Sequence, residues 1–564
     1  MNFNQKLNDL GYLNEGLYKN LYLNNKDQVP YSDGDIEEVI FNELNNLPDD
    51  KFKRYRILEN AIVDWPTKYH FTWERINILK PINFNTDDSV LELGGGTGIL
   101  SEYICNKVKK LVTIEGTLNR AKSVAARCKY YNNIDIVVAN FLELDMLSLF
   151  GENSFDKITL IGVMEYVPKF SDQENPIVNL LKICNKLVKK DGELIIAIEN
   201  KIGLKYLLGY QEDHNAKAYY GPQSFYKKND VTTFSRAELT AKLSGANFNS
   251  VNYYFPFPDY KLPNVIIKDC EAIYSKQGSN LITNLLYDCQ SQNYSGLSTK
   301  NIHEGRILAN FINDKSLDVI SNSFLLIARK QKKEAIIEPF VYYFANNRRY
   351  EYANEIRFFK NVNSIKVLKE WYAKATNNNV LNLVNEGKIT SDFIEGNNVH
   401  INLDNYYLLN DKEAYNKLFA DWLVFLKRTI EKQSINAFDM MPFNTIVDLN
   451  NELRFIDIDE WQSSKSLSVS QVASRYIISN KIHFEWLLTI KKERTDVFLN
   501  DVLTYFKLPI LTDEEIYDLE VLNIFLKNNV FRRPYINKKV LSKNSRIQKL
   551  IKRYLPYRLQ KRLK

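Results

Sequence analysis

The chain has 564 residues, 45% hydrophobic and 25% charged, which is long enough for more than one globular domain. Its net charge of +7 is a property of residues 538–564: without their eleven lysines and arginines, 64 basic residues face 68 acidic ones, a net charge of −4. A fold without overall basicity argues against nucleic acid as the partner. The five cysteines form no C-x-x-C pair and no apolar run reaches about 18–20 residues, so we predict a cytoplasmic protein without a disulfide or metal framework.

Residues 1–65 are predicted to be an N-terminal helical extension, and residues 66–330 alternate strand and helix patterns. Short apolar runs predict strands at 89–93, 111–115, 134–138, 156–161 and 193–198, with a later strand at 323–328. Amphipathic stretches predict helices at about 72–80, 100–108, 117–129 and 176–189. This alternation predicts an α/β fold with a doubly wound, Rossmann-like parallel sheet.

A glycine-rich turn follows the first of these strands, in the run SVLELGGGTG over 89–98. A strand that runs into glycines and a helix, with an acid about twenty residues later, is typical of a nucleoside site. Ile99 stands where a dinucleotide fold needs its third glycine, so the pattern resembles class I methyltransferases, which bind S-adenosylmethionine. The cofactor residues predicted from this pattern are Glu92 for the methionine end, Gly94, Gly96 and Gly98 for the turn, Glu115 for the ribose and Asn140 for the adenine edge.

Several longer strings resemble one bacterial methyltransferase family that accompanies genes for cell-surface polysaccharides. They are YHFTWER at 69–75, LIGVMEY at 160–166, AIENKIGLKYLLGYQEDH at 197–214 and YFPFPDYKLP at 254–263. The resemblance covers about residues 30–330. It implies a saccharide or lipid-linked glycan as methyl acceptor, and membrane-associated glycosyltransferases as partners.

The acceptor is expected above the carboxyl ends of the strands, where the string QEDH ends at His214. His214 and Asp213 are the first candidates for orienting the acceptor or removing its proton, and His70 is the second. The alternatives are that His70 is a hydrogen-bonded core histidine, and that EDH is a loop cap or a solvated turn that holds the loop shut.

Beyond a boundary at 330–334, residues 335–535 contain a second set of candidate functional residues. Asp439 and Asn444 are spaced D-x₄-N with Pro442 between them, and a hairpin then carries Asp457. This spacing resembles the catalytic loop and metal-binding Asp of an α+β kinase-like domain of the aminoglycoside- and sugar-kinase branch. The resemblance implies ATP and Mg²⁺. It implies that Asp439 accepts the proton of the substrate hydroxyl, that Asn444 and Asp457 bind the metal, and that Lys369 contacts the phosphates.

The kinase-like pattern has no glycine-rich loop, so three alternatives stay open: an active phosphotransferase, a pseudokinase that binds nucleotide or glycan, and a chance resemblance. With an active second domain, the chain is similar in domain content to O-antigen chain-terminating methyltransferase–kinases. Otherwise it is a monofunctional methyltransferase with a scaffold domain. For the chain as a whole, a third interpretation is a non-enzymatic, membrane-tethered scaffold. The intact glycine turn with Glu115 argues against that interpretation.

The basic C-terminal tail, 538–564, places apolar residues at helical spacing among its lysines and arginines. Such an amphipathic helix can lie on an anionic inner-membrane surface, with about 1 kcal/mol contributed per nearby basic residue. The sequence therefore predicts a cytoplasmic enzyme that is peripheral at the inner membrane. A helix docked on its own domain and a nucleic-acid arm are the alternatives.

Overall fold

The computed structural model describes residues 3–519, except for gaps at 15–17, 19, 25–28, 30–33, 293–301, 334–336, 347, 363, 374–376, 379–380, 383–387, 434–439, 457–466, 490–494, 513–514 and 517–518. The chain divides into two compact units. The first takes residues 1–346 and 355–367, and the second takes 347–354 and 368–564. Within the described ranges no helix is both long enough and apolar enough to span a membrane.

The first unit is organised around one large sheet. Its strands are β1 (Leu13–Asn14), β2 (Leu21–Leu23), β3 (Ser89–Leu93), β4 (Lys110–Glu115), β5 (Ile134–Val138), β6 (Phe155–Ile161), β7 (Val188–Glu199), β8 (Ser250–Phe257), β9 (Val265–Lys268), β10 (Ser323–Arg329), β11 (Val341–Phe344) and β12 (Asn354–Lys360). Their order across the sheet is β1-β2-β5-β4-β3-β6-β7-β10-β8-β9-β11-β12. The run from β2 to β7 is parallel, and β10 lies antiparallel between β7 and β8.

Helices connect these strands. They are α1 (Phe3–Asp9), α2 (Ile36–Asn45), α3 (Lys51–Ala61), α4 (Trp65–Phe71), α5 (Ile99–Cys105), α6 (Leu118–Arg127), α7 (Met146–Phe150), α8 (Pro176–Leu187), α9 (Leu204–Leu207), α10 (Arg236–Ser244), α11 (Lys276–Leu286), α12 (Glu304–Asn313) and α13 (Leu317–Ile320). Capping boxes fix the starts of α4, through Asp64 and Thr67, and of α10, through Ser235 and Glu238.

The parallel strands form because their sequences are nearly continuous apolar runs that can be buried on both faces of a sheet. All five residues of β5 are buried, for example, although one of them is Asp135. The strand order reverses at β3. From β3 the chain adds β4 and β5 on one side of the sheet, and then β6 and β7 on the other. A crevice opens at the carboxyl ends of strands at such a switch point, and it is the usual ligand site of doubly wound folds.

The predicted α/β, Rossmann-like doubly wound fold is confirmed, and the observed strands lie at or within a few residues of the predicted ones. The predicted helix at 72–80 is instead a 3₁₀ helix, Trp73–Leu79, that follows α4. All of its residues are buried, so it lacks the polar face that an amphipathic surface helix would show.

The first unit extends beyond the boundaries expected for the methyltransferase region at both ends. Before residue 66, β2 pairs in parallel with β5, and Ile40 and Leu44 pack in one apolar cluster with Ala126 of α6. After residue 330, β11 pairs with β9 and with β12. The amide side chain of Asn346 then bonds Asn77 and Asn264 at 2.8 and 2.7 Å.

The second unit is entered through β13 (Ile365–Trp371). Its other elements are β14 (Asn377–Asn378), β15 (Leu381–Asn382), β16 (Lys388–Asp392), β17 (Gly396–Asn398), α14 (Val399–Leu408), α15 (Lys412–Gln433), β18 (Thr445–Asp448), β19 (Leu453–Phe455), α16 (Val469–Ser479), α17 (Lys481–Leu488) and α18 (Thr495–Tyr505). β17, β18 and β19 form an antiparallel sheet, and an aromatic core that includes Phe419, Trp422 and Tyr476 packs the helices together. The basic tail, 538–564, lies outside the described residues.

Candidate functional site

The glycine turn after β3 adopts a backbone that only glycine accommodates without strain. Gly94, Gly96 and Gly98 have φ angles of 83°, 55° and 84°. A Cβ at Gly94 would lie 2.5 Å from Val163 Cγ2, and one at Gly98 would lie 2.9 Å from Val124 Cα. A Cβ at Gly96 would meet no atom within 4 Å, because this residue faces open space. The turn is therefore packed at both ends and open at its centre.

Glu115, the last residue of β4, is bonded to this turn. Its carboxylate accepts the Gly96 N–H at 2.7 Å and the Thr117 N–H at 3.2 Å. Burial raises the pKa of Glu115, and the nearby Arg120 guanidinium and these N–H groups oppose that rise. The strand-end acid and the glycine turn thus form one rigid wall of the crevice, with carboxylate lone pairs left for further donors.

Glu92 lies inside β3, one residue before the strand ends, and it is 3% exposed. One of its oxygens accepts the hydroxyl protons of Ser101 at 2.5 Å and Thr113 at 2.8 Å. Burial is the main reason that its pKa rises to about 7, although the two hydroxyls counteract part of the effect. A carboxyl group with this pKa is well suited to pair with a cationic ligand, which would favour its ionised form.

Asn140 follows β5 and is held by local hydrogen bonds. Its amide nitrogen donates to Glu143 at 2.9 Å, and its amide oxygen accepts the Leu142 N–H at 3.1 Å. The oxygen keeps a second lone pair, so it can still accept from an adenine amino group.

One pocket of about 510 Å³ lies at the switch point, and it is lined by Glu92, Gly94, Gly96, Glu115 and Asn140. Aromatic side chains make up much of the remaining wall: Trp65, Tyr69, Phe141, Tyr166 and Phe170. The volume falls within the usual range of small-molecule sites, and the mixture of apolar surface with a few buried polar groups is typical of them.

His70 supports the glycine turn. The side chain is 7% exposed, and its Nδ1 lies 3.0 Å from the Thr97 hydroxyl within the turn. The His70 backbone carbonyl accepts a guanidinium N–H of Arg127 at 2.7 Å, and the same guanidinium donates to the Thr97 carbonyl at 3.0 Å. These contacts agree with the interpretation of His70 as a hydrogen-bonded core histidine that also lines the pocket.

A buried ion cluster lies at the pocket, which four of its residues line: Glu165, Asp213, His214 and Lys261. We use this name for Glu165, Glu199, Lys205, Asp213, His214, Asp259 and Lys261. Asp213 accepts from Lys261 at 2.6 Å and from Lys205 at 2.9 Å, and Lys261 also bonds Glu199. Lys205 lies 3.8 Å from Asp259. Asp213, a predicted site residue, therefore acts as a counter-ion to two lysines in this cluster.

His214 is held from both sides of its ring. Its Nδ1 lies 3.1 Å from the Tyr166 hydroxyl, and its Nε2 lies 3.5 Å from a Glu199 oxygen. Burial lowers the pKa of His214, but the charge of Glu199 outweighs that effect and raises the pKa to about 9. Burial raises the pKa of Glu165 to about 8, and the nearby Glu199 carboxylate adds to the rise. The imidazole and two carboxyl groups thus share one desolvated site beside the pocket.

Comparisons with known proteins agree with this geometry. Residues 74–186 match the family model described as ribosomal RNA adenine dimethylase. Relatives named ribosomal RNA small subunit methyltransferase A are 28% identical over 171 residues in Francisella tularensis subsp. novicida and 26% identical over 89 residues in Syntrophus aciditrophicus. The matches cover 28% and 16% of this chain, and they span only 63% and 32% of the respective relatives.

The first unit has the class I S-adenosylmethionine-dependent methyltransferase fold. The match at 74–186 contains the glycine turn, Glu92, Glu115 and Asn140, so the predicted cofactor, S-adenosylmethionine, is supported by the family as well as by the pocket. A structure of an S-adenosylmethionine-dependent methyltransferase from Archaeoglobus fulgidus is 15% identical, covers 46% of this chain and 92% of its own, and aligns with a TM-score of 0.27.

The predicted partners are corrected by these matches. The expectations of a glycan acceptor and of nucleic acid as an unlikely partner are wrong, because the matching family and relatives are named for ribosomal RNA. A net charge summed over the chain does not report how charge is distributed on the surface, so it could not exclude nucleic acid. The resemblances to a surface-polysaccharide family and to kinases gain no support from these matches.

The predicted kinase-like residues lie partly within the described ranges. Lys369 is on β13, where it is 6% exposed and its Nζ lies 4.8 Å from the centre of the Trp371 ring. Asn444 immediately precedes β18, and its backbone carbonyl accepts the Ile456 N–H at 2.8 Å. Asp439 and Asp457 lie outside the described residues.

Sequence reasoning missed five charged residues of the buried ion cluster: Glu165, Glu199, Lys205, Asp259 and Lys261. A signal was present, because each belongs to one of the strings VMEYV, IENK, GLKY and PDYK that carried the family resemblance. Arg127 was missed without a comparable signal, since a basic residue at the end of an amphipathic helix is usually solvated.

Proposed function

We propose that this protein is an S-adenosylmethionine-dependent methyltransferase that acts on RNA. The fold, the pocket and the match at 74–186 support the cofactor, and the names of the relatives support the class of acceptor. When bound, S-adenosylmethionine supplies an electrophilic methyl group. The glycine turn, Glu115 and Asn140 would hold its nucleoside, and Glu92 would face its cationic end.

The observation that carries the RNA proposal is the segment 215–230, which directly follows His214. Tyr219 is 41% exposed and Phe225 is 54% exposed, and the lysines at 217, 227 and 228 are exposed as well. Exposed aromatic rings interleaved with lysines are the combination that binds single-stranded nucleic acid, by base stacking and phosphate contact. This segment begins at the pocket wall, so RNA bound here would have a base within reach of the pocket.

The pocket itself suits an unpaired base. Its lining includes the aromatic side chains Trp65, Phe141 and Tyr166, which are of the residue types on which bases stack. Enzymes that modify a base act on one that is single-stranded or flipped out of its helix, and stacking in a pocket offsets part of the cost of unstacking. The chain's contribution to transfer is therefore to hold acceptor and cofactor in one desolvated space, where alignment supplies most of the rate.

The test uses the full chain, tritiated S-adenosylmethionine and a transcript of small-subunit ribosomal RNA. We expect methylation of the transcript, and expect the double variant Tyr219→Ala/Phe225→Ala to weaken RNA binding at least tenfold, since stacking contributes about 1–3 kcal/mol per base. Cofactor binding by that variant should be unchanged. Phe52→Ala is the matched control, because Phe52 is a 40% exposed aromatic on α3 that does not line the pocket.

A second pair, Lys227→Ala and Lys228→Ala, addresses the phosphate contacts. Each change should lower the slope of log affinity against log salt by about 1, without altering sequence preference. Saturable cofactor binding without RNA binding or RNA methylation would overturn the acceptor proposal and leave the fold unaffected.

We also propose, as a second and separate function, that the second unit binds Mg·ATP for phosphotransfer. What favours it is the D-x₄-N spacing together with a backbone hydrogen bond: the Ile456 N–H donates to the Asn444 carbonyl, which brings the residue before Asp457 beside Asn444. Calorimetry of the full chain should then show Mg²⁺-dependent ATP binding that Asp457→Ala abolishes. Glu452→Ala, on the turn between β18 and β19, is the control. Equal ATP binding by both variants, or none by the parent chain, would refute this proposal.

A further inference from the structure

Three side chains of the buried ion cluster converge on a single point. One carboxylate oxygen each of Glu165 and Glu199 and one ring nitrogen of His214 all lie within 4.8 Å of one another. The three residues come from different segments: the 3₁₀ helix Met164–Phe170, the end of β7, and the loop after α9. The fold therefore brings together a nitrogen and two oxygen donors that are distant in sequence.

The donors in question have no hydrogen-bond partner among the described residues. This holds for both oxygens of Glu165 and for Oε2 of Glu199, and Nε2 of His214 makes no hydrogen bond either, although it lies 3.5 Å from Oε1 of Glu199. The side chains of Glu165 and Glu199 are fully buried, and that of His214 is 9% exposed. A buried polar atom without a partner costs about 1–3 kcal/mol, and more if it is charged, so these atoms point to a ligand that completes them.

The charges around this point are unbalanced in the same direction. Within the described part of the cluster, carboxyl groups outnumber ammonium groups by four to two: Glu165, Glu199, Asp213 and Asp259 against Lys205 and Lys261. A buried excess of negative charge needs a counter-charge, which protons or a cation can supply. Protons on Glu165 and His214 would balance the cluster, and when both groups are deprotonated one divalent cation would match the excess.

We propose that Glu165, Glu199 and His214 bind a divalent metal ion. Two carboxylates and one imidazole form a mixed oxygen and nitrogen set, which suits Mn²⁺ or Zn²⁺ better than a purely oxygen-bound ion.

Neighbouring groups already orient two of the three ligands. The Tyr166 hydroxyl engages Nδ1 of His214, so Nε2 is the nitrogen that would bind the metal, in place of its 3.5 Å contact with Oε1 of Glu199. Lys261 bonds Oε1 of Glu199, which leaves Oε2 for the metal. Metal-binding histidines usually have their second ring nitrogen bonded in this way, because that contact fixes the ring.

The location gives the site a role that rests on the proposed function. Glu165 and His214 line the cofactor pocket, so an ion bound between them would lie at the acceptor side of that pocket. Three protein ligands leave open coordination positions, and an oxygen of the acceptor can occupy one of them. The metal would thereby position the acceptor through this oxygen, independently of the other groups of the acceptor.

The decisive experiment titrates the chelator-treated full chain with Mn²⁺, followed by electron paramagnetic resonance, and separately with Zn²⁺ by calorimetry. We expect one ion per chain, and expect Glu165→Gln to weaken its binding at least tenfold. Glu165→Gln keeps the shape of the side chain and removes one negative charge. Glu238→Gln is the control, since Glu238 lies on α10, is paired with Lys201 and is not a member of the cluster.

Cofactor binding and thermal unfolding of Glu165→Gln establish that the variant is folded. Failure of the parent chain to bind one ion, or identical ion affinity in Glu165→Gln and the parent, would overturn the metal proposal. In that case protons balance the cluster. Neither measurement involves RNA, so failure of the metal proposal is distinguishable from failure of the RNA proposal.

Discussion

The carboxylate of Glu115 accepts the backbone N–H of Gly96 at 2.7 Å, across 19 residues of sequence. This contact joins the end of β4 to the centre of the glycine turn after β3. The residue expected to bind the ribose thus also determines the shape of the turn that would hold the rest of the nucleoside. Binding of the cofactor and the conformation of the glycine turn therefore both depend on this one carboxylate.

Replacing Glu115 by Gln tests that coupling. Glutamine keeps one acceptor oxygen but loses the charge and one acceptor, so either the N–H groups of Gly96 and Thr117 or the ligand's hydroxyls lose a bond. We expect cofactor affinity to fall about ten- to a hundredfold, equivalent to about 1.4–2.7 kcal/mol. Isothermal titration with S-adenosylmethionine measures it, and Glu152→Gln on the exposed surface is the control. Unchanged affinity would contradict a role for Glu115 at the ribose.

The glycines of the turn offer a matched pair of substitutions. Gly98→Ala would bring Cβ within 2.9 Å of the Val124 backbone, so we expect unfolding free energy to fall by about 1–3 kcal/mol from strain. Gly96→Ala has open space around it and a φ of 55°, so its stability loss should be smaller. Its methyl group would enter the pocket, however, and should weaken cofactor binding. Denaturant unfolding and calorimetry separate the two effects, and equal stability losses would contradict this geometry.

Binding of the cofactor should depend on pH through Glu92. The free protein holds this carboxyl with a pKa of about 7, and a cationic ligand beside it favours the ionised form and lowers that pKa. Binding therefore releases a proton below pH 7, and affinity should rise with pH up to about 7 and then level off. Calorimetry from pH 5.5 to 8.5 tests it, with Glu92→Gln as the reference that removes this slope. The amino group of S-adenosylmethionine contributes equally to binding by the parent chain and by Glu92→Gln. If affinity depends on pH in the same way for both proteins, Glu92 is not the source of that dependence.

The parts of the site that the sequence predicted are those encoded locally. An apolar strand, three glycines and a strand-end acid lie within 89–115, and each has a conformation that its own residues favour. The strand over 323–328 was also recognisable from its apolar run. Its antiparallel position between β7 and β8 was not, because pairing depends on the path of more than 100 intervening residues.

The buried ion cluster shows why the rest could not be predicted. Glu165, Glu199 and Lys261 belong to strings that were noticed, yet only the fold determines that these strings face one another. Periodicity carries no information about which loops meet above a sheet. The N-terminal segment is similar: β2 has three residues, and it is placed by pairing with β1 on one side and with β5 on the other.

Arg127 connects α6 to the glycine turn and should determine its stability. The side chain is 1% exposed, and it donates to the backbone carbonyls of Thr97 and His70, which its removal would leave buried without these donors. We expect Arg127→Met to lower the unfolding free energy by about 2–4 kcal/mol, since each unsatisfied buried group costs about 1–3 kcal/mol, and to weaken cofactor binding. Glu102 would keep its ion pair with Arg54 at 2.6 Å. Urea unfolding, with the half-exposed Lys189→Met as control, measures the loss, and a change below 0.5 kcal/mol would show that the turn holds its shape without Arg127.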